Sequence, residues 1–348
     1  MSRFLRRRQE PGSIFEHVDA HVLAGVDGLT DGGLSLPDDK VFADGEIPFA
    51  PGALEGILGG PDDSEFGRAA VEGIYEALVA LAADPGTATR RRLAKHFREG
   101  YVRGRIDPLR DRLVESPPKN AELLYPELRE IFLRSGHRDE VKFAMALMSG
   151  FRRPGDADLF RVIGRHAEFT LYAAVALATV TDDPLAEWLA LLEHVVGWGR
   201  TELTRLILRE PRSRAVHEQL VRSGLGIGNA LELAIGCDLD QILAAPEVES
   251  DVLAGGREIL ETLASGEEFP ARLTDYPYAG PAVEALLERI AERPPSADDL
   301  RAVETLRGVL AEADGDDRAE DDEERFEACG LGQERLARVL ALCAELQG

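Results

Sequence analysis

The sequence predicts an all-α protein in which antiparallel helix pairs stack as a HEAT-like α-solenoid behind an irregular N-terminal segment. Three observations point there. From Ser64 onward, apolar residues recur at helical spacing in segments of roughly 10–16 residues. Short turns marked by Gly or Pro separate these segments. The β-branched alternation that marks strands never persists.

Residues 1–63 stand apart. One short helix is predicted over 13–23, with Ser13 as N-cap and Ile14, Val18 and Val22 on one face. The stretch 25–63 is dense in Gly, Pro and Asp and carries little periodicity, which in a compact protein marks a functional or a loosely attached segment. Residues 64–312 read as the repeat domain. Its first helix, 64–83, sets Phe66, Ala70, Ile74, Leu78 and Leu81 on one stripe. The next, 122–135, carries Leu124, Leu128, Ile131 and Phe132 and ends at Gly136. Segments 139–148 and 156–166 follow, and 169–180 is apolar on most sides, as a helix buried between neighbours would be. Pro184 opens the next helix, where its missing N–H costs nothing. Segments 200–208, 213–223, 229–235, 248–264, 281–292 and 296–312 continue the series, the last two joined by Pro294-Pro295.

The periodicity is structural, with no repeat consensus in the sequence. The tetratricopeptide pattern of about 34 residues is not visible, and degenerate HEAT-like units, defined by little beyond apolar spacing, fit better. The stretch 312–324 holds nine acids and one arginine but lacks the ligand spacing and glycine of a calcium loop. Residues 313–324 therefore read as an acidic linker and 325–348 as a C-terminal capping helix.

Composition narrows the function classes. Hydrophobic residues make up 44% of the 348-residue chain, enough for a sizeable core. With 40 basic and 64 acidic residues the net charge is −24, which disfavours nucleic acid and anionic lipid as partners. Cys237, Cys329 and Cys343 form no CxxC pair and supply neither a disulfide framework nor a zinc site. Residues 1–9 are arginine-rich, but no apolar secretory segment follows, and no run approaches the roughly 18 apolar residues that span a membrane. A cytoplasmic protein with no membrane partner is expected.

Two segments carry a resemblance. Asp44-Gly45 leads into Ile47-Pro48-Phe49-Ala50-Pro51-Gly52-Ala53-Leu54-Glu55-Gly56, and Gly197-Trp198-Gly199-Arg200 follows far downstream. In that order and at that separation they resemble a bacterial family of helical-repeat proteins of unsettled function, some members of which carry the label "limonene hydroxylase". The similarity runs from about residue 41 to about residue 290. Pro51 stands where the family usually has Asp, and Val196 where it usually has His. The resemblance implies a HEAT-like fold, and the label would imply an oxygenase.

Hydroxylating a hydrocarbon needs haem, flavin or non-haem iron. Phe326-Glu327-Ala328-Cys329-Gly330 lacks the intervening glycine and basic residue of a haem–thiolate loop, and no histidine has a Glu three residues before it, as a di-iron bundle requires. His17 and His21 lie four apart with Asp19 between them, a spacing that can hold a metal but more often marks a solvated helix face. His217-Glu218 begins like a zinc-protease helix, but Val221 occupies the second ligand's place. Gly224-Leu225-Gly226-Ile227-Gly228 follows a helix and not a strand, so it reads as a turn. No cofactor is expected.

Nine basic residues between Arg90 and Arg112 face only three acids. A phosphate groove is one reading, and pairing with the surplus carboxylates of neighbouring repeats is the one the net charge favours. Trp198 and Arg200 read either as a packed corner between helices or as a binding anchor. Ile47 and Phe49 belong to an apolar strip expected to fold back over the helices. The sequence therefore favours a non-enzymatic scaffold for another protein or peptide, with Trp198, Arg200, Ile47 and Phe49 as the candidate surface. The alternatives are a monooxygenase, as the family label implies, or a HEAT-like protein acting on nucleic acid.

Overall fold

The computed structural model describes residues 11–22, 28–39, 49–60, 62, 64–98, 101–209, 211–266, 271–313 and 320–348. All regular structure among them is helical, and no strand occurs. None of these helices is long and apolar enough to cross a membrane. The chain forms two compact units, Met1–Leu203 and Thr204–Gly348.

The first unit contains α1 (Ile14–Ala20), α2 (Ala53–Leu58), α3 (Glu65–Ala83), α4 (Thr87–Phe97), α5 (Arg103–Glu115), α6 (Leu124–Arg134), α7 (Arg138–Ser149), α8 (Ala157–Ile163), α9 (Thr170–Val180), α10 (Pro184–Leu192) and the start of α11 (Gly197–Leu208). Helix α1 begins where the sequence places it. The Ser13 Oγ accepts the Glu16 N–H at 3.1 Å, and Ile14 and Val18, four apart, are wholly buried. It lies on α6 and α8, and the Ile14 N–H reaches the Ser135 carbonyl at 2.9 Å. Ser64 caps α3 in the same way through the Gly67 N–H, 3.0 Å away.

Helices α4 and α5 occupy a stretch that shows only its charge in the sequence. Leu93, Ala94 and Phe97 bury one face of α4, and Phe97 stacks on Phe143 of α7 with ring centroids 4.6 Å apart. The basic side chains turn to carboxylates on other helices: Arg90 to Glu127 at 2.6 Å, Arg112 to Glu72 at 3.0 Å, and Arg98 to Glu140. Arg91, Arg92 and Lys95 are exposed on α4.

Helix α7 is the centre of this unit. It packs on α6 and α9, and every residue from 140 to 149 is buried. Helix α9, apolar on most sides, buries Ala173, Ala174, Ala176, Leu177 and Val180 against α7, α8 and α10. The more completely enclosed helix is thus the one that carries charges at its start, Glu140 and Lys142.

The second unit holds the end of α11, then α12 (Arg214–Ser223), α13 (Ala230–Gly236), α14 (Leu239–Leu243), α15 (Ser250–Ser265), α16 (Ala279–Ala291), α17 (Ala297–Ala313), α18 (Glu320–Ala328) and α19 (Gln333–Gln347). Helix α15 packs on α12, α13 and α17, and α16 on α14 and α19. At Gly255 a Cβ would collide with the Val221 carbonyl, so glycine is what lets α15 approach the backbone of α12. The run 224–228 is a turn between α12 and α13. The buried Asn229 fastens it, accepting from the Gly226 N–H at 2.8 Å and donating to the Gly224 carbonyl at 2.9 Å. Residues 320–324, read from their charge as linker, are helical as the start of α18, while 314–319 lie outside the described residues.

Candidate functional site

The most unusual chemistry of the chain sits at the start of α7. Lys142 is 2% exposed, within the otherwise apolar run Val141 to Met148. An isolated buried ammonium is costly, so its partner is decisive. That partner is Glu168, in the turn before α9, whose Oε1 lies 2.5 Å from the Lys142 Nζ. The Lys142 ammonium also lies 5.6 Å from the ring centroid of Tyr172.

The second oxygen of Glu168 gathers two further donors. Its Oε2 accepts the Gly52 N–H at 2.8 Å and the Arg138 Nη1 at 3.4 Å. Burial alone would raise this carboxyl, but the ammonium of Lys142, the guanidinium of Arg138 and the Gly52 N–H bring it down to about 2. Arg138, the first residue of α7, reaches outward as well. Its backbone N–H and its guanidinium hold Asp38, at 2.8 and 2.9 Å, and the guanidinium also pairs with Asp39.

His166 completes the cluster. It is fully buried, its Nδ1 accepts the Glu168 N–H at 3.2 Å, and its Nε2 donates to the Leu34 carbonyl at 3.2 Å. Both ring nitrogens are thereby used by the neutral form. Burial pushes its pKa down to about 4. Two N-terminal segments, 28–39 and 49–60, are thus fixed to the helices through one polar cluster.

The second segment lies directly on Trp198. At Gly52, with φ +81°, a Cβ would stand 2.7 Å from the Ala167 carbonyl oxygen, and at Gly56 a Cβ would overlap the Trp198 indole nitrogen. The two segments that carry the family resemblance therefore pack on one another. Trp198 is half-buried beneath these glycines, which makes it a packed corner, and Arg200 holds the same turn by donating its Nε to the Val195 carbonyl at 2.7 Å. Phe49 is 62% exposed, and Ile47 lies outside the described residues. Leu34, Leu54 and Val196 are also exposed large apolar side chains, Leu54 two residues after Gly52 and Val196 two before Trp198. A pocket of about 330 Å³ opens between Gly56, Gly59 and Gly60 and the first turns of α5, with Arg103 and Asp107 in its wall. Arg103 Nη1 lies 3.4 Å from the Gly56 carbonyl and 3.7 Å from Glu202.

The other candidates stay separate. The rings of His17 and His21 stand 4.5 Å apart, but the His21 Nδ1 is engaged by the His17 carbonyl at 2.7 Å and Asp19 is exposed. Among the described residues no three His, Cys, Asp or Glu side chains come together to hold a metal ion. Cys237, Cys329 and Cys343 are buried free thiols, and burial pushes Cys237 up to about 12. Nothing in the sequence marks Glu168, Arg138, His166, Asp38 or Asp39 as site residues. A lysine inside an apolar run, in a chain with four lysines, was the available sign that a buried acid must exist somewhere. No protein-family model, curated protein or solved structure matches this chain.

Proposed function

We propose that this chain is a non-enzymatic helical-repeat protein, its helix pairs stacked as a HEAT-like solenoid. It holds a protein or peptide partner on the surface where residues 49–60 cross Trp198. The observation that carries the reading is that Phe49, Leu54 and Val196, each within three residues of the contact between Gly52 and Trp198, are exposed. Large apolar side chains grouped at the surface mark interaction sites, whereas scattered ones do not. Glycines at positions 52 and 56 let the start of α2 approach the indole closely, which places Phe49 beside that contact. The titratable groups beneath are engaged: Glu168 is held ionised by three donors, and burial keeps His166 neutral. That arrangement suits a support better than acid–base catalysis, which works with groups near the operating pH. The family resemblance of the two segments is part of the same proposal, and the surface they build is what members of that family would share.

The test places a photo-crosslinking amino acid at position 49, 196 or, as control, at the 83% exposed Val114 on α5. Discrete adducts to the same protein from 49 and 196, absent from 114, are expected. Equal capture from all three positions, or none, would count against the surface. Stoichiometric iron, haem or flavin in protein purified without an affinity tag would sink the non-enzymatic reading and revive the oxygenase.

A further inference from the structure

We propose that segments 28–39 and 49–60 form one releasable strap, latched by Arg138 and Glu168, so that they detach together while α1 stays docked. The first ground is how little apolar surface their described side chains bury, Leu36 and Ala53 being the buried apolar ones among them. Helix α1 differs. It is capped, buries Ile14 and Val18 completely, and ties its backbone to the Ser135 carbonyl.

The second ground is that the polar anchors converge on one carboxylate. Asp38 and Asp39 hold 28–39 to Arg138, the Arg138 Nη1 reaches Glu168 Oε2, and that same oxygen takes the Gly52 N–H of the other segment. His166 adds a link of the same kind, accepting the Glu168 N–H on one nitrogen and donating to Leu34 O from the other. Removing the aspartates frees the Arg138 guanidinium to close on Glu168 Oε2, the oxygen that also holds the Gly52 N–H, so a change at one segment reaches the anchor of the other. Local opening of such a unit requires no unfolding of α1 or α6–α9.

When the strap leaves, Glu168 still faces Lys142 and Arg138, so the buried carboxylate keeps both cations. What becomes uncovered is Ala167 and the indole of Trp198. Strap release as a control on partner binding rests on the function proposed above, whereas the latch itself does not.

Amide hydrogen exchange of the full chain tests the latch without any partner. In the variant Asp38→Asn/Asp39→Asn, exchange in both 28–39 and 49–60 is expected to rise at least tenfold, with α1 and α6–α9 unchanged. A rise confined to 28–39 would overturn the shared latch, and a rise that includes α1 would show general loosening instead. Leu36→Ala serves as a second entry point that leaves every charge in place, and it must raise exchange at Gly52 as well. Failure of the crosslinking experiment with a positive exchange result would leave the latch standing and remove only its proposed use.

Discussion

Glu168 in the first unit and Asp299 in the second are both buried carboxylates set among cations, yet they hold different things. Asp299 lies 1% exposed at the start of α17, where its Oδ2 accepts the Ser296 N–H at 2.8 Å and its own N–H reaches the Ser296 Oγ at 3.1 Å. This is a capping box, reinforced by Arg293 at 2.8 Å and Arg257 at 3.1 Å. Burial alone would raise its carboxyl, but Arg293, Ser296 and Arg257 hold it well below the usual carboxylate range. Nearly all of that is local, within a helix start and the connection before it. Glu168 instead collects donors 26 and 116 residues away in the chain, and through Arg138 it reaches Asp38, a further 100 residues from that arginine. The same chemistry thus stabilises a secondary-structure element in one place and fastens remote segments in the other.

The largest effect expected is that of Glu168→Ala. It removes the buried carboxylate that Lys142, Arg138 and the Gly52 N–H share and should destabilise the fold by about 3–5 kcal/mol, read from thermal or denaturant unfolding. Lys142→Met/Glu168→Leu sharpens the point. Most of the stability should return, while amide protection at 49–60 stays lost because the Gly52 N–H still has no acceptor. Recovery of both would show that Glu168 serves Lys142 alone.

Acid should separate the two carboxylates next. The His166 pKa is depressed in the fold, to about 4 from an ordinary 6.5, so its contribution is complete above pH 6.5 and fades as pH falls towards 4. About 3 kcal/mol is lost over that window. The Glu168 contribution, from a pKa lowered to about 2, is lost in turn as pH falls from 4.5 towards 2. His166→Gln should flatten the dependence of melting temperature between pH 6.5 and 4, and an unchanged slope would assign it to other groups. The loss tied to Asp299 belongs to lower pH.

Asp299→Ala should cost about 1–3 kcal/mol, through the lost cap and the arginines left without it, with raised exchange confined to the first turns of α17. Spread into α19 would mean that the box holds more than its own helix. The smallest effect is expected for Arg91→Ala or Arg92→Ala on the exposed face of α4, within about 0.5 kcal/mol. A larger change there would point to a partner for that face in solution.

Legibility divides along the same line. The helix starts at Ser13 and Ser64, the turn at 224–228, and the buried character of 169–180 were readable because each depends on residues within a few positions of one another. The stretch holding α4 and α5 was not, because its arginines mask an apolar face of only Leu93, Ala94 and Phe97, with Ile106 and Leu109 following. Phe49 and Trp198 both read from the sequence as candidate contact residues, but that Gly52 and Gly56 lie on the indole follows from backbone approach, which leaves no trace in composition.

By itself the sequence determined that this chain is all helix and where most helices begin, and it set Lys142 inside one of them. Apolar period and caps are short-range, so the chain carries them openly. Only the tertiary structure decided which acid meets that lysine, and that Arg138 would bridge it to Asp38. A charge pair depends on distance in space, and 64 acids and 40 bases leave every assignment open until the helices have packed.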